Sequence, residues 1–178
     1  MIDVLNKLPL RGDLKIITRD SQSHGILKIW QQKNVITYVG VESLVGLMAP
    51  NVALGGSYQL EHQIKSMRFG IDNTTPQPTD TDLASEAVVG PDPVRIELTD
   101  SERLIGAPGT VEFVATLGAG DGNGVTYREA GLFTRGDDDD PLLVTPGTEV
   151  MFSRQVYPDQ IKTGAVVLEF RWRITFTV

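Results

Sequence analysis

The sequence predicts a mainly β protein, an antiparallel β-sandwich with one flanking α-helix, and three observations predict it. The last residues alternate strictly. Leu168, Phe170, Trp172, Ile174, Phe176 and Val178 point one way, and Glu169, Arg171, Arg173, Thr175 and Thr177 point the other. A period of two marks a strand with one buried face and one face that is wet or covered by a partner. Shorter runs at 94–98 and 111–117 repeat the alternation. Eighteen glycines and ten prolines among 178 residues favour short strands joined by turns.

The remaining elements follow from local signals. Residues 14–18 and 25–30 read as the first two strands, separated by the turn cluster Asp20, Ser21, Gln22 and Ser23. From Asn34 the period changes: Ile36, Val39, Gly40, Ser43, Leu44 and Leu47 fall near one helical face, with Asn34 as N-cap and Pro50 just past the end. Residues 64–71 form a strand with Met67 and Phe69 on one face, 72–82 an exposed connection, and 82–89 a helical turn. The glycine-rich stretch 118–124 reads as a hairpin turn whose returning strand is 125–134. An acidic loop at 135–140 precedes strands near 142–144 and 150–157. The chain divides into an N-terminal arm, 1–12, and a single β-rich domain, 13–178.

Charge and composition exclude several function classes. Sixteen Lys and Arg against 23 Asp and Glu give a net charge of −7, which suits neither a nucleic-acid binder nor an anionic membrane surface. The chain has no cysteine, so disulfides, thiolate metal sites and cysteine nucleophiles are excluded, and synthesis in a reducing cytoplasm fits. Residues 1–10 lack the long apolar run of a signal peptide. Asp121 and Asn123 sit in the glycine-rich loop without the further ligands a calcium loop requires. The run Asp137 to Asp140 reads as a solvated loop. His24 and His62 are the two histidines, and they read as turn or surface residues, with a hydrolase as the rival reading. Trp30, Trp172, Tyr127 and Tyr157 offer either core packing or an aromatic platform for a glycan. No metal and no cofactor is expected.

Three stretches, taken in order, resemble the small proteins of phage tails and the attachment domains of tail-collar fibre proteins. The first is the helical stretch 34–47 after a Trp-containing strand. The second is Met67, Arg68, Phe69 and Gly70, followed by a Pro/Thr loop that ends in Asp80, Thr81, Asp82 and Leu83. The third is Tyr127, Arg128, Glu129, Ala130, Gly131, Leu132 and Phe133, continued by Met151, Phe152, Ser153 and Arg154 and by the turn at Ile161, Lys162 and Thr163. The resemblance runs over 25–178. It implies a non-enzymatic virion component, of tail, collar or baseplate and suited to anchoring a fibre, that binds copies of itself and other virion proteins. A head-surface decoration protein and a host-surface glycan-binding module are the alternatives.

Two details of the residues bear on that expectation. In the third stretch, Arg128 and Glu129 point to opposite faces of their strand, so Glu129 is expected to pair with a neighbouring-strand arginine, Arg171 or Arg173. Ala130 and Gly131 form a small pair that admits a bulge or a close backbone approach. In the arm, Ile2, Val4, Leu5, Leu8 and Leu10 are apolar residues that either dock on a neighbouring subunit or cover their own core.

Overall fold

The computed structural model describes residues 10–41, 43, 63–99, 103–105, 109–134 and 149–176. Its strands are β1 (Leu10–Asp20), β2 (Ile26–Lys33), β3 (Val35–Ile36), β4 (Ile64–Gly70), β5 (Val88–Val89) and β6 (Asp92–Pro93). They continue with β7 (Arg95–Glu97), β8 (Arg103–Ile105), β9 (Thr110–Leu117), β10 (Thr126–Thr134), β11 (Met151–Ile161) and β12 (Val166–Phe176). Two five-stranded antiparallel sheets result, ordered β2-β1-β12-β9-β8 and β3-β11-β10-β4-β7, with β5 and β6 forming a small separate pair. The sheets pack face to face as an antiparallel β-sandwich with one short helix.

The core lies between the two inner faces. Leu14, Ile16, Phe113, Leu168, Phe170 and Trp172 come from the first sheet, and Met67, Phe69, Tyr127, Leu132, Phe152 and Tyr157 from the second. Phe170 reaches across to Phe69 at 4.7 Å and to Tyr157 at 5.9 Å between ring centroids. Aromatic residues bury the largest apolar area per position, and this stack joins the sheets at their centre. The alternation of β12 is therefore real. Leu168, Phe170, Trp172 and Ile174 are buried, while Phe176, at the end of the strand, is exposed.

Turn chemistry explains the β1–β2 hairpin. Asp20 Oδ1 accepts hydrogen bonds from the Ser23 and Gln22 amides and from Ser23 Oγ. These bonds, led by the Ser23 amide, hold its carboxyl below the usual range. His24 completes the turn with φ of 56°, so it is a turn residue.

Four sequence-based expectations are corrected. The first concerns the helix, whose described residues are 38–41 and 43. Val35 and Ile36 instead pair with Arg154 and Ser153 as a short strand. The N-cap is Thr37 rather than Asn34: Thr37 Oγ1 accepts from the Gly40 amide at 3.0 Å, while the Val41 amide donates to the Thr37 carbonyl at 3.1 Å. Asn34 uses its side chain on Ser153 Oγ. Second, 82–89 holds no helical turn. Its backbone runs beside β4, with Ala87 N donating to Phe69 O and Ile71 N to Ser85 O.

Third, β9 and β10 are not a hairpin, because they belong to different sheets. The glycine loop carries the chain across the sandwich, with Gly122 and Gly124 at φ of 57° and 86°. Fourth, β1 begins at Leu10, which pairs with Phe176 and packs against the core. Leu10, Arg11 and Gly12 are thus sheet residues and not arm. Ile2, Val4, Leu5 and Leu8 lie outside the described residues, as do His62, the 137–140 run and the expected strand at 142–144.

Candidate functional site

The outer face of the second sheet carries a buried ionic cluster, and it is built from the residues that the sequence singled out. Strand β10 is the centre of that sheet and is covered on both sides. Its inward residues Tyr127, Ala130 and Leu132 join the main core, while outward Phe133 packs with Met151 and Leu83 in a second cluster. Leu83 belongs to the connection that follows β4. That connection is the lid of the second cluster.

Glu129 fastens it. This side chain is 0% exposed, and its Oε2 accepts from Arg154 Nε at 2.7 Å and from the Ala84 amide at 3.1 Å. Its Oε1 accepts from the Ser85 amide at 2.8 Å. Those two bonds hold the connection against β10. Arg154, 2% exposed, reaches on through Nη1 to Asp80 Oδ2 at 2.7 Å. Burial alone would weaken the proton hold of this guanidinium, but the hydrogen bonds it donates to Asp80 and Glu129 outweigh it and raise its pKa. Glu129 thus pairs with a neighbouring-strand arginine, as expected, but the arginine is Arg154 of β11 and not Arg171 or Arg173. Those arginines lie on the other sheet and pair with Glu112, Arg171 also with Glu169.

Arg128 and Gly131 of the third stretch, and Gly70 of the second, serve the same fastening. Arg128 pairs with Asp159 at 2.9 Å and donates to the Ile71 carbonyl. Gly131 admits Leu83: a Cβ there would stand 3.1 Å from Leu83 Cδ2 and 2.8 Å from the Phe133 ring. Gly70 makes room for Glu129 itself, since a Cβ would meet the Glu129 carboxylate and stand 2.5 Å from the Ser85 carbonyl. The register shifts flank the pair, between Tyr127 and Glu129 and between Leu132 and Phe133. The small residues therefore serve close approach, with the irregularities beside them.

A second ionic group lies alongside. Arg68 sits over the Phe133 ring at 4.3 Å and bonds Glu149, whose side chain also meets Arg95 at 2.9 Å. Burial lowers the pKa of Arg68 although Glu86 opposes it, and burial raises that of Glu86. Charges in such a place cost desolvation and hold only while paired. All these groups tie one element of the chain to another.

The glycine loop is closed by the chain's own cation. Lys162, fully buried, directs Nζ to Asn123 Oδ1 at 2.8 Å and to the Thr163 carbonyl at 3.0 Å. Asp121 Oδ2 accepts from the Gly118 amide at 2.8 Å. The oxygens that suggested a calcium loop are thus engaged by Lys162 and by backbone. Burial pulls the Lys162 amine below its ordinary value, with Asp121 opposing.

The aromatic candidates for a glycan platform turn inward. Trp172, Tyr127 and Tyr157 are buried, and Trp30 packs against the core with its ring 5.8 Å from that of Tyr157. Tyr127 donates its hydroxyl to the Gly122 carbonyl at 2.9 Å and Tyr157 to the Glu129 carbonyl at 2.8 Å. Burial, reinforced by Asp121, pushes the Tyr127 phenol up to about 12, and burial lifts Tyr157 well above 10.0. Both protons are held more tightly folded than unfolded. Their stabilisation is therefore complete below pH 10.0 and is lost as pH rises through about 12. In an alkaline titration these two phenols are expected to ionise only as the fold opens. Ionisation of both near pH 10.0 with circular dichroism unchanged would contradict this.

The feature that sequence reasoning missed is the edge strand β2. It is the end of the first sheet, and every residue but Trp30 is exposed. Ile26, Leu27 and Ile29 stand 55%, 61% and 51% exposed. Three large apolar side chains on one sheet edge form a surface of the kind that takes part in association. Searches against protein-family models, curated proteins and solved structures return no match for this chain.

Proposed function

We propose that this chain is a non-enzymatic structural subunit of a bacteriophage virion, a tail, collar or baseplate component suited to anchoring a fibre, acting by protein–protein assembly. The observation that carries the reading is the apolar edge of β2. A strand edge of this length offers both backbone hydrogen bonds and apolar side chains to a neighbour. The resemblance of the 127–133 phrase to tail-collar attachment domains supports it, because its residues build the fastening beneath the connection and leave the work of the protein to its surface. The aromatic residues that would have served a glycan are turned into the core, so no second reading is favoured.

Complementation is the test. A phage lacking the gene is expected to give particles without a tail, collar or baseplate part, and the wild-type chain to restore them. Ile26→Ser/Ile29→Ser is expected to fold with an unchanged melt and to restore few or none. Infectious, morphologically complete particles without the chain would overturn the proposal.

A further inference from the structure

The outer face of the first sheet is charged against the rest of the molecule. Strand register places Arg11, Lys15 and Arg19 of β1 beside Arg171 and Arg173 of β12 and Lys33 of β2, all on that face. Three acids share it: Asp13, Glu112 and Glu169. Among the described residues, six cations against three acids make the face +3, and the described side chains off it are seven Lys and Arg against eleven Asp and Glu, or −4. The acids are already shared, since Glu169 serves Arg19 and Arg171 and Glu112 serves Arg171 and Arg173.

Ile26 and Ile29 flank this basic field. Register sets Ile29 opposite Ile17 and Ile26 opposite Arg19, and together they border a shallow depression of about 430 Å³ in the face. An apolar strip with a basic field beside it fits a partner surface that is acidic and partly apolar. The same face on a second copy is a poor fit, because +3 would meet +3.

We infer that this face docks a second copy of the chain head to tail, receiving an acidic part of that copy's surface. The partner so named rests on the assembly function proposed above. The chain itself supplies complementary charge, −4 on the described residues off this face, at the same concentration as the face that needs it. A contact between two different patches is heterologous, and repeated, it closes a ring or extends a filament. Salt weakens it by screening the charges.

Light scattering during size-exclusion chromatography of the full chain, over a range of concentrations at low and high salt, tests the inference. At low salt the wild type is expected as multiples of 19.4 kDa, returning toward a single chain as salt rises. Arg11→Glu/Lys33→Glu and Ile26→Ser/Ile29→Ser are each expected to run as single chains with the wild-type melting temperature. A wild type that stays single at every concentration and low salt overturns the inference, as does association that both variants retain. If the wild type stays single while the same variants still fail in particle complementation, the face binds another virion protein. The second-copy assignment then falls and the assembly function stands.

Discussion

Glu129→Ala is expected to destabilise the fold by about 3–5 kcal/mol, the range for removing one partner of a buried ion pair. The substitution leaves Arg154 with Asp80 alone, and it leaves the amides of Ala84 and Ser85 without the acceptor that holds them. The loss should be visible in two ways. Urea melts should shift to a lower midpoint, and limited proteolysis should cut the connection after β4 before the sheets open. Glu129→Gln keeps an acceptor for the amides and should recover part of the loss. A Glu129→Ala midpoint within error of wild type would show that the carboxylate does not fasten the connection.

Trp172→Ala is expected to cost a similar amount, about 3–5 kcal/mol, for a different reason. Trp172 is fully buried in β12, the central strand of the first sheet, between Leu14 of β1 and Phe113 of β9. Its removal leaves a cavity that two sheets cannot collapse to fill. Arg173→Ala, one residue on and on the outer face, removes a half-exposed ion pair and should cost less than about 1 kcal/mol. Equal losses at the two positions would mean that the alternation of β12 does not separate core from surface.

How much of this was legible in the sequence depends on whether a feature is local. The β12 alternation, the Met67 and Phe69 face and the Asp20 turn each need only neighbouring residues, and all appear in the structure. The destination of a strand does not. A glycine loop looks the same whether the chain turns back within a sheet or crosses to the other, so β10 was joined to β9 by sequence and to β4 and β11 by the fold. Glu129 does pair with an arginine of a neighbouring strand, but which one was missed, because Arg171 and Arg173 are on the opposite sheet while Arg154 is on the adjacent strand.

A signal for that pairing was present: Arg68, Glu129 and Arg154 each lie in the interior of a strand, Arg68 between Met67 and Phe69, where an open sheet face would not bury them. Three ionisable residues so placed mark a sheet covered on both sides. The cap was misplaced because Asn34 and Thr37 are both good capping residues, and only the pairing of Val35 and Ile36 with β11 decides between them. The exposure of Ile26, Leu27 and Ile29 follows from β2 being at the end of its sheet, which sequence periodicity does not encode.

The most direct measurement is an electron micrograph of purified phage particles labelled with an antibody to this chain. Label is expected at one fixed place on the particle, at the tail, collar or baseplate, in every intact virion. Antibody that finds the chain only in the soluble lysate, with intact particles unlabelled and free of it by mass spectrometry, would contradict that expectation.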